Sequence, residues 1–169
     1  WPLKPSSRSN IDSFIVMDVM RAAAELERQG RSVIHMEVGQ PGTPAPAAAR
    51  QAVREALDRE TLGYTAALGT DALRARIAAS YRERYGVNVD EGRIVVCTGS
   101  SAAFLLAFLA VFDAGARVAL PSPGYPCYRE ILSVLGCRTP LIETGPETRW
   151  MPTPEDLAAL DRREKLDGL

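Results

Sequence analysis

From residue 93 onward, short apolar segments alternate with longer helical ones, and this alternation limits the fold more than any other feature of the chain. Strands are predicted over residues 94–97, 118–120 and 137–142, and helices over residues 102–112 and 126–135. Short strands that alternate with helices indicate crossover connections on a largely parallel sheet. The sequence therefore predicts an α/β fold.

The first part of the chain carries other patterns. Apolar residues from Ile15 to Leu26 follow helical spacing until Gly30, with capping side chains offered by residues 10–13. Residues 33–38 alternate in polarity, which is typical of a half-buried strand. Two glycines and three prolines mark residues 39–46 as a boundary loop. Further helices are predicted over residues 47–58 and 71–85, and from Thr153, which forms a capping box with Asp156.

Composition excludes several classes of partner. Lysine plus arginine number 20 and aspartate plus glutamate number 21, so no electrostatic footprint for nucleic acid or an anionic membrane is present. The most apolar run, residues 102–112, is about half as long as a membrane-spanning helix of ~20 residues. Three widely spaced cysteines and one histidine support neither a metal site nor a disulfide framework. We expect a cytoplasmic protein whose partner is a small molecule or a like subunit.

Thr98-Gly99-Ser100-Ser101-Ala102 ends a predicted strand and opens a helix within a few residues. Free backbone N–H groups at a helix start, two hydroxyls and a favourable dipole together form an anion site. The alternative interpretation is a capping turn in which serine serves only as a good N-cap. From this motif alone, both interpretations stay open.

Two tyrosines are candidates for ligand contacts. Tyr125 follows the predicted strand that ends at Leu120, and ligands in open α/β sheets bind outside the carboxyl ends of strands. A tyrosine held there can stack on a flat aromatic cofactor, or it can simply close a loop against the core. Tyr64 lies in a glycine-flanked loop, from which its hydroxyl could donate to a phosphate.

Four motifs occur in a set order along the chain. They are Val38-Gly39-Gln40-Pro41, then Gly63-Tyr64-Thr65 with Gly69 and Leu73-Arg74, then Thr98-Gly99-Ser100-Ser101-Ala102, and then Ser122-Pro123-Gly124-Tyr125-Pro126-Cys127-Tyr128. Their order and spacing resemble the N-terminal half of class I/II aminotransferases, which are fold-type-I enzymes that depend on pyridoxal 5'-phosphate. The resemblance covers nearly the whole chain.

The resemblance implies the three-layer αβα fold of these transferases, with a mostly parallel sheet that is incomplete in this chain. Residues 1–42 would form the N-terminal arm, helix and strand of the small domain. Residues 43–169 would form the first part of the large, cofactor-binding domain.

The resemblance also implies roles for single residues around the cofactor. Gly99, Ser100, Ser101 and Ala102 would hold the phosphate of pyridoxal phosphate. Tyr125 would stack on its ring. The anion-site and ring-stacking interpretations of the same residues arise separately from their chemistry.

Four further residues match positions near the substrate or the subunit interface of the family. Tyr64 matches the tyrosine that reaches the cofactor phosphate of the other subunit, which implies a homodimer with shared active sites. Gly39 matches the glycine whose loop lies beside the substrate carboxylate. Ile15 or Val16 would lie near the substrate mouth.

The lysine that forms the Schiff base with the cofactor is not expected among these residues. In relatives it lies beyond the equivalent of Leu169, together with the aspartate at the ring nitrogen and the arginine at the substrate carboxylate. The chain has two lysines, Lys4 near its start and Lys165 in a polar helix end, and neither suits a partly desolvated amine in a pocket. We therefore assign no catalytic residue and expect the chain to be a piece of a longer enzyme, inactive by itself, with further residues upstream of Trp1.

The leading hypothesis is a transaminase that moves an amino group between an amino acid and a 2-oxo acid. A lyase or decarboxylase that keeps the fold and the cofactor is an alternative, because the motifs do not separate these reactions. A ligand-sensing module of a transcription regulator and a structural α/β domain without cofactor are further alternatives.

Overall fold

The structure, a computed structural model, describes residues 2–169. Their contacts group into two compact units. One unit contains residues 2–33 and 99–169, and the other contains residues 34–98. The boundary after residue 42 that the resemblance implies stays a prediction.

The unit of residues 34–98 is built on two helices, α2 (Ala47–Arg59) and α3 (Asp71–Tyr85). The bounds of α3 are those predicted, because Thr70 caps its first turn and Gly86 ends it in the left-handed region. Arg74 donates two hydrogen bonds to the carbonyl of Glu91, at 3.1 and 2.6 Å. This contact ties α3 to the 3-10 turn Glu91–Arg93.

Two predicted strands are wrong. Neither residues 33–38 nor residues 94–97 belong to a β-ladder in the part of the chain that the structure describes. Ile34 and Met36 are 86% and 89% exposed, and the Val96 N–H donates to the Leu68 carbonyl at 3.0 Å instead of to a strand. Alternation of polarity indicates which face of a strand is buried, but a strand also needs a partner that local sequence does not specify.

The other unit contains a parallel β–α–β crossover, as predicted. Strand β1 (Leu120–Ser122) leads through α5 (Pro126–Val134) to β2 (Leu141–Glu143), and the two strands pair with Leu120 opposite Leu141. Both strands begin later than predicted, and β2 is also shorter than the segment predicted over residues 137–142. An isolated parallel bridge between Arg117 and Arg138 continues the pairing before them.

The core lies beneath this pair of strands. Ala119, Ile142 and Leu160 are buried against one another, and Leu157 and Leu166 pack around them. Leu157 and Leu160 belong to α6 (Pro154–Glu164). Just before β1, on the edge that faces away from β2, Val118 forms a parallel bridge with Gly168, and the Ala119 N–H donates to the Gly168 carbonyl at 2.9 Å.

Two helices differ from expectation. Helix α1 (Ile15–Arg28) begins after Phe14, which makes no side-chain cap, so the capping predicted from residues 10–13 is wrong. Helix α4 (Ser100–Val111) begins two residues earlier than predicted and has no buried residue, although its apolar composition predicts burial on several sides. Among the described residues, no helix is both long and apolar enough to cross a bilayer.

Candidate functional site

The start of α4 presents backbone N–H groups that no side chain caps. Gly99 is the N-cap residue, with φ 93° and ψ 167°, a conformation that is almost restricted to glycine. The first backbone bond of the helix runs from the Ala103 N–H to the Gly99 carbonyl at 3.3 Å, and the N–H groups of the three residues between have no acceptor within the helix. The serines follow the cap position, so the interpretation of this turn as a serine N-cap is wrong.

The start of α5 places Tyr125. This residue is the N-cap of the helix, and Pro126 takes the first helical position. The turn before it is tight, because a Cβ on Gly124 would lie 2.5 Å from the carbonyl oxygen of Pro121. The rings of Tyr125 and Tyr128 form a T-shaped pair with centroids 5.2 Å apart, and Tyr125 is 52% exposed, so part of this residue remains open to a ligand.

The two helix starts lie side by side. Ser101 Oγ is 3.4 Å from Cys127 Sγ, in the first turn of α5. One turn further along α4, the Phe104 ring packs against Tyr128 with centroids 4.6 Å apart. The positive ends of two helix dipoles and the hydroxyl of Ser101 are thus close to the turn that carries Tyr125.

An apolar cavity of about 660 Å³ opens beside this turn. Its wall is formed by α4, by β1 and by the residues that lead into α5, and it includes Phe104, Phe108, Leu120 and Tyr125. Tyr125 is the predicted site residue that lines it, whereas Ser100 and Ser101 lie outside its wall. The arrangement can hold an anion at the start of α4 and a flat ring against Tyr125.

The remaining predicted site residues are exposed or partly exposed. Within the unit of residues 34–98, Tyr64 is fully exposed and Gly39 is exposed. Ile15, at the first position of α1, is 67% exposed, and Val16 is half-buried. Their roles stay predictions.

Cys127, which contacts Ser101, is not among the predicted site residues. Its position two residues after Tyr125 could have indicated it, because this spacing places it on the first turn of the helix that Tyr125 begins. Neither lysine lies in a pocket, since Lys165 is the exposed C-cap of α6 and Lys4 is exposed in the N-terminal arm.

Within residues 2–169, no cluster of three or more His, Cys, Asp or Glu side chains is placed to hold a metal.

The sequence model of the family described as aminotransferase class I and II matches residues 31–166. The chain belongs to this family. It is 51% identical over 154 residues to a valine–pyruvate aminotransferase of Mycobacterium tuberculosis, a match that covers 91% of this chain and 40% of that protein.

Solved structures of the family show the same fold. An aminotransferase from Mycobacterium tuberculosis superposes with a TM-score of 0.89 at 49% identity, over 95% of this chain and 41% of the other. The aspartate aminotransferase of Thermus thermophilus, solved with maleate, has a TM-score of 0.87 at 28% identity, over 94% of this chain and 42% of the other. The three-layer α/β fold of these enzymes is thereby confirmed as the fold class, and the chain spans about two fifths of the length of its relatives.

Proposed function

We propose that the full-length protein is a pyridoxal-phosphate-dependent aminotransferase, which moves an amino group between an amino acid and a 2-oxo acid. The observation that carries the proposal is the uncapped start of α4 at Gly99, held beside Tyr125 by the contact between Ser101 and Cys127. Membership of the aminotransferase family supports it.

The residues at the two helix starts fit the cofactor. A phosphate dianion requires several donors, and the N–H groups of Ser100, Ser101 and Ala102 have no acceptor within α4. The hydroxyls of the two serines add donors, and the α4 dipole favours negative charge there. Tyr125 offers a half-exposed ring face for the pyridine, at a position fixed by the tight Gly124 turn.

When it is bound, pyridoxal phosphate supplies an electron sink that stabilises negative charge at the substrate Cα. The residues of this chain bind and orient it. The start of α4 anchors the phosphate, and Tyr125 fixes the plane of the ring and excludes water from one of its faces. The catalytic lysine would belong to the rest of the full-length protein, because Lys4 and Lys165 lie on exposed segments.

The substrate side is proposed from the family positions. The loop at Gly39 lies beside the substrate carboxylate, and Ile15 and Val16 contribute to the mouth of the site. The name of the Mycobacterium tuberculosis relative makes valine as donor and pyruvate as acceptor the first pair to test. We place the enzyme in the cytoplasm and its function in amino-acid biosynthesis, in keeping with three free cysteines among the described residues.

We further propose that the enzyme is a homodimer with shared sites, in which Tyr64 donates to the cofactor phosphate of the other subunit. Its side chain is fully exposed in this chain, as a residue that reaches into a partner must be. Tyr64→Phe should weaken cofactor binding in the dimer. Tyr85→Phe, at another largely exposed tyrosine, should not, and equal effects of the two would contradict the role of Tyr64.

The test of the proposed function is the visible absorbance of the purified full-length protein with pyridoxal phosphate. A band between roughly 330 and 430 nm that shifts when valine is added, and shifts back with pyruvate, is expected for amino-group transfer by this cofactor. Release of ammonia or carbon dioxide from the amino acid would instead indicate a lyase or a decarboxylase. Tyr125→Ala should weaken cofactor binding by about tenfold, whereas Tyr125→Phe, which keeps the ring, should leave it within about twofold.

A further inference from the structure

Ser101 and Cys127 touch across the first turns of two helices. Ser101 is the second residue of α4 and Cys127 is the second residue of α5, with 3.4 Å between oxygen and sulfur. Ser101 is a proposed phosphate contact, and α5 also carries Tyr125 at its start. The thiol therefore connects the element that binds the phosphate to the element that binds the ring.

The chemistry of the two groups decides the direction of this hydrogen bond once an anion is present. A hydroxyl has one proton and two lone pairs, and a thiol is a weak donor and a weak acceptor. A phosphate oxygen is a much better acceptor than sulfur, so the hydroxyl proton goes to the anion. The thiol then donates to Ser101 Oγ, which remains free to accept.

We propose that Cys127 is a positioning residue for the cofactor phosphate, because its thiol holds the Ser101 hydroxyl in the orientation that donates to the anion. The inference rests on the proposed function and names a residue that acts through Ser101 without touching the reacting atoms. Cys127 is half-buried and Ser101 is exposed, so the Ser101 hydroxyl is accessible to an anion while the thiol contacts its oxygen.

The experiment compares two ligands on the full-length protein. Dissociation constants for pyridoxal phosphate and for pyridoxal, which has the same ring without the phosphate, are measured by absorbance titration. Cys127→Ala should weaken binding of pyridoxal phosphate by about three- to tenfold, the range for loss of one hydrogen bond, and leave pyridoxal binding unchanged. Cys127→Ser, which keeps a donor, should restore affinity to within about twofold.

Two further variants separate positioning from packing. Cys127→Val retains the volume without the hydrogen bond, so it should match the alanine variant and serves if alanine disturbs folding. In a Ser101→Ala background, Cys127→Ala should have no additional effect, because the group that it positions is gone. Cys137→Ala is the matched control, since this half-buried thiol contacts the Asp113 carbonyl, away from the start of α4.

The outcomes are distinct. Equal losses for both ligands, or a loss that persists in the Ser101→Ala background, would show that Cys127 only packs, and would overturn the inference. Unchanged affinity in Cys127→Val alongside a loss in Ser101→Ala would also overturn it while leaving the proposed function intact. Failure of the unmodified protein to bind pyridoxal phosphate would instead contradict the proposed function itself.

Discussion

Helices α4 and α6 begin in opposite ways. At α6, the Thr153 hydroxyl accepts from the Asp156 N–H at 3.2 Å, and the Asp156 carboxylate accepts from the Thr153 N–H at 3.1 Å. Pro154 removes a further N–H from the first turn. At α4, the cap residue is Gly99, and no side chain or first-turn carboxylate meets the N–H groups. One helix start is satisfied by its own side chains, whereas the other is left for a ligand or for water.

The difference separates a structural helix start from a binding one. Each helix start has at least one hydroxyl side chain, but its position relative to the cap decides its role. Thr153 occupies the cap position of α6 and points back to the helix. Ser100 and Ser101 are already helical residues, so their hydroxyls are available to groups outside α4. The comparison predicts that changes at α4 affect ligand binding, and that changes at α6 affect only stability.

The largest effect is expected from a carboxylate at the start of α4. Ser100→Asp should reduce affinity for pyridoxal phosphate on the order of 100-fold, because the new charge repels the phosphate and occupies its N–H donors. The thermal midpoint without cofactor should not fall, since an acidic side chain is favourable in a first helical turn.

Titration of the full-length protein with pyridoxal phosphate measures this effect. Ser100→Ala shows how much is due to loss of the hydroxyl alone. Glu155→Ser, which changes the first turn of α6, is the matched control and should leave affinity unchanged. If Ser100→Asp retains affinity to within about threefold, the phosphate does not bind at the start of α4.

The next effect is conformational. Gly99→Ala should lower the free energy of unfolding by about 1–3 kcal/mol, because alanine is strained at φ 93° and ψ 167°. The space around Gly99 is open, with no atom within 4 Å of an added Cβ, so the loss would arise from the backbone alone. Urea unfolding measures it. Gly42→Ala, also in open space and without positive φ, should change stability little, and an equal loss there would contradict the explanation.

A smaller effect is expected at α6. Thr153→Ala removes the capping hydroxyl and should lower the free energy of unfolding by about 1 kcal/mol. Thr153→Ser keeps the hydroxyl and should retain most of the stability. Affinity for pyridoxal phosphate should be the same in all three proteins. If folded Thr153→Ala bound pyridoxal phosphate more weakly than the unmodified protein, the distinction between the two helix starts would be wrong.

Helices were predictable where local chemistry defines their ends. The bounds of α3 and the capping box of α6 follow from Thr70, Gly86, Thr153 and Asp156, which act within a few residues of themselves. Strands were not predictable to the same degree. The polarity pattern of residues 33–38 and 94–97 is that of strands, but pairing depends on partners distant in sequence, and neither segment has one among the described residues.

The candidate site was predictable in part for the same reason. Gly99 and Ser100 could be singled out because they begin a helix, although the strand predicted before them is absent among the described residues. Tyr125 could be singled out because it follows a strand, which is β1 in the structure. The contact between Ser101 and Cys127 joins residues 26 positions apart, and no local pattern encodes it. Nor does the sequence of α4 reveal that the helix is exposed, because an apolar composition predicts burial without indicating which segment would cover the helix.

The smallest effect concerns acid, and it too should distinguish the two helix starts. Hydrogen bonds from the Thr153 side chain and backbone hold the pKa of Asp156 below its ordinary value of 3.8. Because the folded pKa lies below the unfolded one, the stabilisation is complete at higher pH and is lost as the pH falls through the folded pKa. The stability advantage of the unmodified protein over Asp156→Ala should therefore be constant from about pH 7 to pH 5 and shrink below about pH 4, as urea unfolding across this range would measure. Glu155→Ala removes a first-turn carboxylate outside the capping box and controls for the helix dipole. Substitution of Ser100 by alanine at α4 should show no such acid-dependent difference, because the first turn of that helix contains no carboxylate to lose.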